Sequence, residues 1–277
     1  MSNKTCIIVS GATAVGKTAY AIELAHRYNT QIISADSRQC YKELNIGVAK
    51  PTPGELRDTR HYFIDSHSIH DDVNVKVFEQ YALHAVHTIF ETNDVAIMVG
   101  GTGLYIKAFC EGLDEVPQAN EAIRTKINET HKARGMVWLA DEIKRNDPLY
   151  FASGETQNPQ RMMRALEVKL STGKSVLDFR LGKKVERNFE MKTIHLEIPR
   201  EHLYERINKR VDDMMRAGLL KEAEGLFHFR HLNALRTVGY KELFDCIDGK
   251  ISLPKAIDDI KKNTRHFAKR QITWFKK

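Results

Sequence analysis

The sequence has 277 residues, 42% of them hydrophobic, which is enough for one large domain or for a core carrying a smaller insertion. No run approaches the roughly 18 apolar residues of a membrane helix, Met1–Ser10 lacks the basic region and cleavage site of a secretion signal, and the four cysteines form no CxxC pair, so a cytoplasmic protein with reduced thiols and no membrane partner is expected. The net charge of +7 is uneven: residues 1–110 hold 10 Lys and Arg against 11 Asp and Glu, the remainder 33 against 25, so a neutral front half precedes a basic back half suited to a polyanion.

Thr5–Ser10 (TCIIVS) is apolar and β-branched and predicts a buried strand. A glycine-containing loop follows, then a helix over Thr18–Tyr28 with Ala21, Ile22, Ala25 and Tyr28 on one face. Gln31–Asp36 and Asp94–Gly100 read as further strands. Strands separated by helical stretches predict an α/β fold, a parallel sheet flanked by helices with its site at the carboxyl ends of the strands; Gly11–Thr18 at the first strand's end makes that fold P-loop NTPase-like. Three segments fall at those ends: Gly11–Thr18, Asp36–Gln39 and Gly100–Thr102. The stretch 111–190 is polar, basic and helical in period. Thr193–Ile198 then alternates as a strand, with Ile194, Leu196 and Ile198 on one side, which makes 111–190 a helical insertion and 1–110 with 191–277 the core. Two basic helices follow, at about 201–217 and 254–270.

Gly11-Ala12-Thr13-Ala14-Val15-Gly16-Lys17-Thr18 matches G-x-x-x-x-G-K-[ST] in full, between a predicted strand and a predicted helix. In this motif the glycines let successive backbone N–H groups converge on phosphate oxygens, Lys17 adds a charge, and the Thr18 hydroxyl can hold Mg²⁺. It specifies a phosphate chain and leaves the reaction open. Asp36 lies across that site, where it is a general base, a magnesium ligand or the cap of a turn. Gly100-Gly101-Thr102-Gly103 stands where a P-loop NTPase usually carries a magnesium-binding aspartate, which argues against ordinary phosphoryl transfer; a plain turn needing positive φ would also explain the glycines.

Gln160, Arg161, Met162, Met163 and Arg164 open a helix with a predicted buried stripe of Met163, Leu166 and Leu170. Arg161 and Arg164 share another face, suited to RNA or simply solvated. Arg206 and Arg210 lie opposite Leu203, Ile207 and Val211 and can reach a diphosphate. Lys261, Arg265 and Lys269 form a stripe opposite Ile257, Ile260, Thr264 and Phe267, for which a solvated face is the simpler account. The segment 65–72, rich in Asp and His, matches no zinc spacing.

Taken together, GATAVGKT, SADSRQCYKELNIGVAKP, VGGTGLYIKA, NPQRMMRALEV and AKRQITWF resemble, in order, the successive signatures of the tRNA dimethylallyltransferases (isopentenyltransferases). The resemblance runs from residue 5 to residue 275. It implies that dimethylallyl diphosphate enters a channel through the core. The adenosine immediately 3′ of the anticodon, in tRNAs reading codons that begin with U, flips in from the other side. Its N6 attacks the allylic carbon and diphosphate leaves. By the same resemblance, Gly11–Thr18 hold the diphosphate with Mg²⁺, Asp36 is the general base, and Thr102 lies near the reacting group. Asp36, Ser37, Arg38, Gln39, Thr102, Arg124, Gln160, Arg161, Met162, Met163 and Arg164 are expected against tRNA. An arginine closing on the diphosphate is expected at Arg210, with Arg206 equally well placed. ATP is an alternative occupant of the loop, and a monomer is the expected state. The family often carries further residues after the TWF signature; the lack of a Cys/His zinc finger resembles the bacterial form. On motifs alone, a small-molecule P-loop kinase and a non-catalytic RNA-binding NTPase remain as alternatives.

Overall fold

The computed structural model describes residues 4–276. β1 (Thr5–Gly11), β2 (Ile32–Ala35), β3 (His61–Tyr62), β4 (Val95–Gly100) and β5 (Glu190–Leu196) form one parallel sheet in the spatial order β3-β2-β4-β1-β5. β1 runs between β4 and β5, with Val9 opposite both Val99 and Ile194. Because side chains alternate along a strand, each central strand feeds two cores. Ile7, Val9, Ile32, Ile97 and Val99 face the helix Lys17–Arg27 and its Ala21, Leu24 and Ala25. Cys6, Ile8, Ile33, Ala96 and Met98 join the larger core on the opposite face, with Phe78 and Ile89 of the helix Val75–Thr92 and Phe109 of the helix Gly103–Glu111.

The predicted elements shift by one to several residues. Tyr28 caps the first helix and is exposed rather than on its buried face. β5 spans Glu190–Leu196, so Ile198 lies past its end. The helix expected to finish near residue 270 runs over Leu253–Phe275, because no Gly or Pro interrupts the apolar period through Ile272, Trp274 and Phe275. Among the described residues no helix is long and apolar enough to cross a membrane.

The chain divides into two compact units, Met1–Glu111 with Glu186–Lys277 and Gly112–Val185. Within the first, Arg187 donates to the carbonyls of Phe109 (2.8 Å) and Ala108 (3.1 Å) and pairs with Glu79 (2.7 Å), which ties the returning chain to the departing one. The second unit has its own core of Ile127, Leu139, Ile143, Tyr150, Met162 and Leu166. Those side chains come from the helices Glu121–Asn146, interrupted at Gly135 (φ 69°), Pro148–Ala152 and Pro159–Thr172.

Candidate active site

The cradle begins where β1 ends. Gly11 has φ 144°, and a Cβ there would sit 2.6 Å from the Leu196 carbonyl oxygen of neighbouring β5, so only glycine fits. Ala14 and Gly16 follow in the left-handed region, at φ 65° and 110°, which turns the loop's N–H groups inward. A non-glycine residue held at positive φ stores strain, and Ala14 does so at the point where the loop must curl. No side chain caps the helix Lys17–Arg27, leaving its first N–H groups for an anionic ligand. The Lys17 ammonium folds back onto the Ala12 carbonyl (2.7 Å). Burial, with help from the nearby Arg210 charge, pushes its pKa down to about 8 against the opposing pull of Asp36. From the helix Arg200–Arg216, Arg206 donates to the Val15 carbonyl (3.2 Å) and Arg210 to the Thr13 hydroxyl (3.4 Å).

Asp36 stands one residue beyond β2. Its Oδ1 accepts from the backbone N–H of Arg38 (2.8 Å) and Gln39 (3.3 Å), which makes it the cap of that turn. Among the described residues no hydrogen bond engages Oδ2. Ser37 N–H donates to the Thr102 hydroxyl (3.2 Å) and Thr102 N–H to the Ala35 carbonyl (3.2 Å), so the loop after β4 is stitched to the loop after β2. Gly100, Gly101 and Gly103 do not have positive φ, contrary to the turn reading. What all three provide is room: a Cβ on Gly100 would overlap the Ala35 carbonyl, one on Gly101 the Gln271 amide, and one on Gly103 the Trp274 indole.

Gln271 is a site residue that sequence reasoning missed. Buried on the terminal helix, it accepts from Thr13 N–H (2.8 Å) and donates to the Gly101 carbonyl (2.9 Å), joining the phosphate loop to the Thr102 loop. Gln39 likewise spends its amide inside the protein. It donates to the carbonyls of Val48 (3.3 Å) and Ala49 (3.0 Å), and its oxygen accepts from Ser34 (3.1 Å).

These residues enclose two cavities. One, of about 300 Å³, opens on the phosphate loop and is lined by Gly16, Lys17, Thr18, Ser34 and His61 among others. The other, of about 560 Å³, is lined by Arg38, Thr102, Arg236, Lys241 and Arg270 among others. They abut on six shared residues: Thr13, Asp36, Val48, Ala49, Arg210 and Phe267. Arg210 lines both cavities and Arg206 neither. Against five cations, Arg38, Arg210, Arg236, Lys241 and Arg270, the larger cavity sets only Asp36 and Glu242, which suits a polyanion. Arg236, Lys241 and Arg270 were not singled out in the sequence. Of the stripe that was, Lys261, Arg265 and Lys269, the first two pair with Asp212 (2.6 Å) and Asn208 (2.6 Å) of the neighbouring helix. Thr264 and Phe267, expected on the apolar face, line the cavity.

The remaining expected residues lie in the helical unit. Met162 and Met163 are buried in its core, so their side chains are not surface contacts; Leu170, predicted buried, is exposed in the last turn beyond Val168. Gln160 and Arg161 are exposed, and Arg161 pairs with Glu155 (3.5 Å). Arg124 (3.5 Å) and Arg164 (3.4 Å) share the buried carboxylate of Glu167, and Arg164 also donates to the Pro117 carbonyl (2.9 Å). The segment 65–72 holds no cluster that could ligate a metal; Asp65 pairs with Lys50 (2.5 Å) and Asp71 accepts from Ser68 N–H (2.7 Å).

A phosphate loop and a strand-end carboxylate lining one cavity of a parallel-sheet protein, with a second, basic cavity adjoining at that carboxylate, define a P-loop fold with room for a phosphorylated small molecule beside a larger anion. Residues 39–277 match the family described as IPP transferase, and the chain belongs to that family. It is 49% identical to a tRNA dimethylallyltransferase of Christiangramia forsetii, over 100% of this chain and 91% of that one, and 47% identical to one of Cytophaga hutchinsonii, over 99% and 90%. Its structure resembles a tRNA isopentenylpyrophosphate transferase of Bacillus halodurans (TM-score 0.71, 35% identity, covering 99% and 87%). It also resembles a eukaryotic dimethylallyltransferase acting on tRNA (TM-score 0.82, 25% identity, covering 98% and 69%).

Proposed function

We propose that this chain transfers a dimethylallyl group from dimethylallyl diphosphate to N6 of the adenosine 3′-adjacent to the anticodon, in tRNAs reading codons that begin with U. The observation that carries this reading is Asp36. It lies on the boundary of both cavities with Oδ1 committed to the backbone and Oδ2 left for a substrate. The donor's diphosphate occupies the cradle, against the loop N–H groups, Lys17 and Arg210. The acceptor base enters the larger cavity out of its stack, the only way to present N6 in line. The N6–C1 bond forms as the C1–O bond breaks. Diphosphate leaves with the bonding electrons, and Asp36 Oδ2 takes the proton from N6. Lys17 and Arg210 stabilise the charge that builds on the leaving oxygens.

A divalent cation fits the donor cavity. His61, which lines this cavity as Thr18 does, donates through Nδ1 to the Thr59 carbonyl (2.8 Å), while its buried Nε2 has no partner. The Thr18 hydroxyl would hold Mg²⁺, which when bound supplies further positive charge to the leaving group. Incubation with labelled dimethylallyl diphosphate and bacterial tRNA, followed by digestion, should yield labelled N6-dimethylallyladenosine. Consumption of ATP without label entering tRNA would instead point to phosphoryl transfer.

A further inference from the structure

The six residues shared by the two cavities divide by chemistry. Thr13, Asp36 and Arg210 are polar and suit the leaving group and the base; Val48, Ala49 and Phe267 are apolar and offer neither charge nor hydrogen bond. The loop that carries Val48 and Ala49 is held rigidly. Ala49 is kept at φ 49°, a strained conformation for a residue with a Cβ, and strain of this kind persists only where the surroundings fix it. The fixing is visible from both sides. Gln39 donates to the carbonyls of Val48 and Ala49, while Glu222 accepts from the N–H groups of Ile46 (2.9 Å) and Gly47 (3.0 Å) and from the Tyr240 hydroxyl (2.6 Å). Across the shared boundary from this loop, Phe267 stands 40% exposed, with the Arg270 guanidinium 5.7 Å over its ring. An aromatic ring left uncovered at the boundary of two cavities lacks an apolar partner.

We propose that Val48, Ala49 and Phe267 seat the hydrocarbon of the donor, and that Phe267 is the residue that limits it to one five-carbon unit. This rests on the prenyl-transfer reading above. The diphosphate fixed in the cradle and the acceptor in the larger cavity put the reacting carbon at the shared boundary, so the methyl-bearing end of the allyl group must pack on that boundary's apolar side chains. The phenyl ring of Phe267 has about the bulk of a second isoprene unit, and at the boundary of both cavities it occupies the space that unit would need.

The test compares dimethylallyl and geranyl diphosphates as donors for the protein and for Phe267→Ala, with the modified nucleoside identified by mass. The protein itself should use the shorter donor almost alone. Phe267→Ala should narrow the kcat/KM preference at least about tenfold, the scale on which an apolar pocket discriminates by size, and should place a ten-carbon group on tRNA. tRNA affinity should remain within several-fold. An unchanged donor preference overturns the proposal. So does a loss of tRNA affinity at unchanged preference, which would make Phe267 a platform for the base. If Phe267→Ala turns over too slowly to measure, calorimetric binding of the two diphosphates to Phe267→Leu and Phe267→Ala decides the same question: gained affinity for the longer donor supports the proposal and its absence overturns it. Failure of the unaltered protein to prenylate tRNA would count against the prenyl-transfer reading, while the calorimetric comparison of the two diphosphates would still decide the role of Phe267.

Discussion

Asp36 serves the fold with one oxygen and is free to serve chemistry with the other, so the cap and the base, which look like alternatives in the sequence, are both available to one carboxylate. Asp36→Asn keeps an oxygen for the Arg38 and Gln39 N–H groups but presents an amide to the cavity. It should bind donor and tRNA within several-fold of normal and lose about 10²–10⁴-fold in single-turnover rate. Recovery of that rate at high Mg²⁺ would make Asp36 an ion ligand instead. Lys17 sets a second expectation. With its pKa held near 8, chiefly by burial, it is charged below that pH and neutral above it. An incoming diphosphate favours the charged form, so the affinity advantage of the protein over Lys17→Met for pyrophosphate, measured without divalent metal, should be full below pH 8 and shrink as pH rises through it. Because the folded-state pKa lies below the ordinary 10.5, the ligand-free fold should also gain stability as pH rises from about 8 towards 10.5. An advantage that does not vary with pH would place Lys17 away from the ligand.

At the scale of elements, the terminal helix contributes more than its sequence declares. Periodicity finds a helix there, and strand ends and the phosphate loop are legible because each has a local signature: a β-branched run, a glycine spacing, a Lys-Thr pair. Which face of the helix meets the site has no such signature. Lys261 and Arg265 belong to a basic stripe that the sequence reads more simply as solvated, and they are claimed by Asp212 and Asn208, while Phe267, Arg270 and Gln271 turn towards the loops. That outcome depends on where a helix some 50 residues earlier in the chain places its own polar side chains, which no local window contains. Gln271→Met keeps the volume but leaves Thr13 N–H and the Gly101 carbonyl without partners, at a cost of about 1–3 kcal/mol. Beyond a lower Tm, it should reduce kcat more than it raises the KM for either substrate, because it unlinks the two loops that must be in register for in-line attack. Equal losses in both parameters, or none, would leave Gln271 a packing residue only.

For the whole molecule, the basic excess read from composition divides into charges with different duties. Arg161 is exposed and its partner Glu155 keeps Arg180 (2.9 Å), so Arg161→Ala should leave Tm unchanged. If it touches the tRNA backbone, binding should weaken and the salt slope fall by about one ion. Arg164 shares a buried carboxylate, and Arg164→Ala should lower Tm by loosening the helical unit, since Glu167 then keeps only Arg124. Unchanged tRNA binding by Arg161→Ala at several salt concentrations would take this helix off the RNA surface. The clip between Thr13 and Gln271 also has a consequence in time. Its two ends lie 258 residues apart, and at roughly 5–20 residues per second a ribosome spends on the order of tens of seconds between making one and making the other. A nascent chain interrupted before Gln271 therefore displays every residue of the phosphate loop without the brace that sets it.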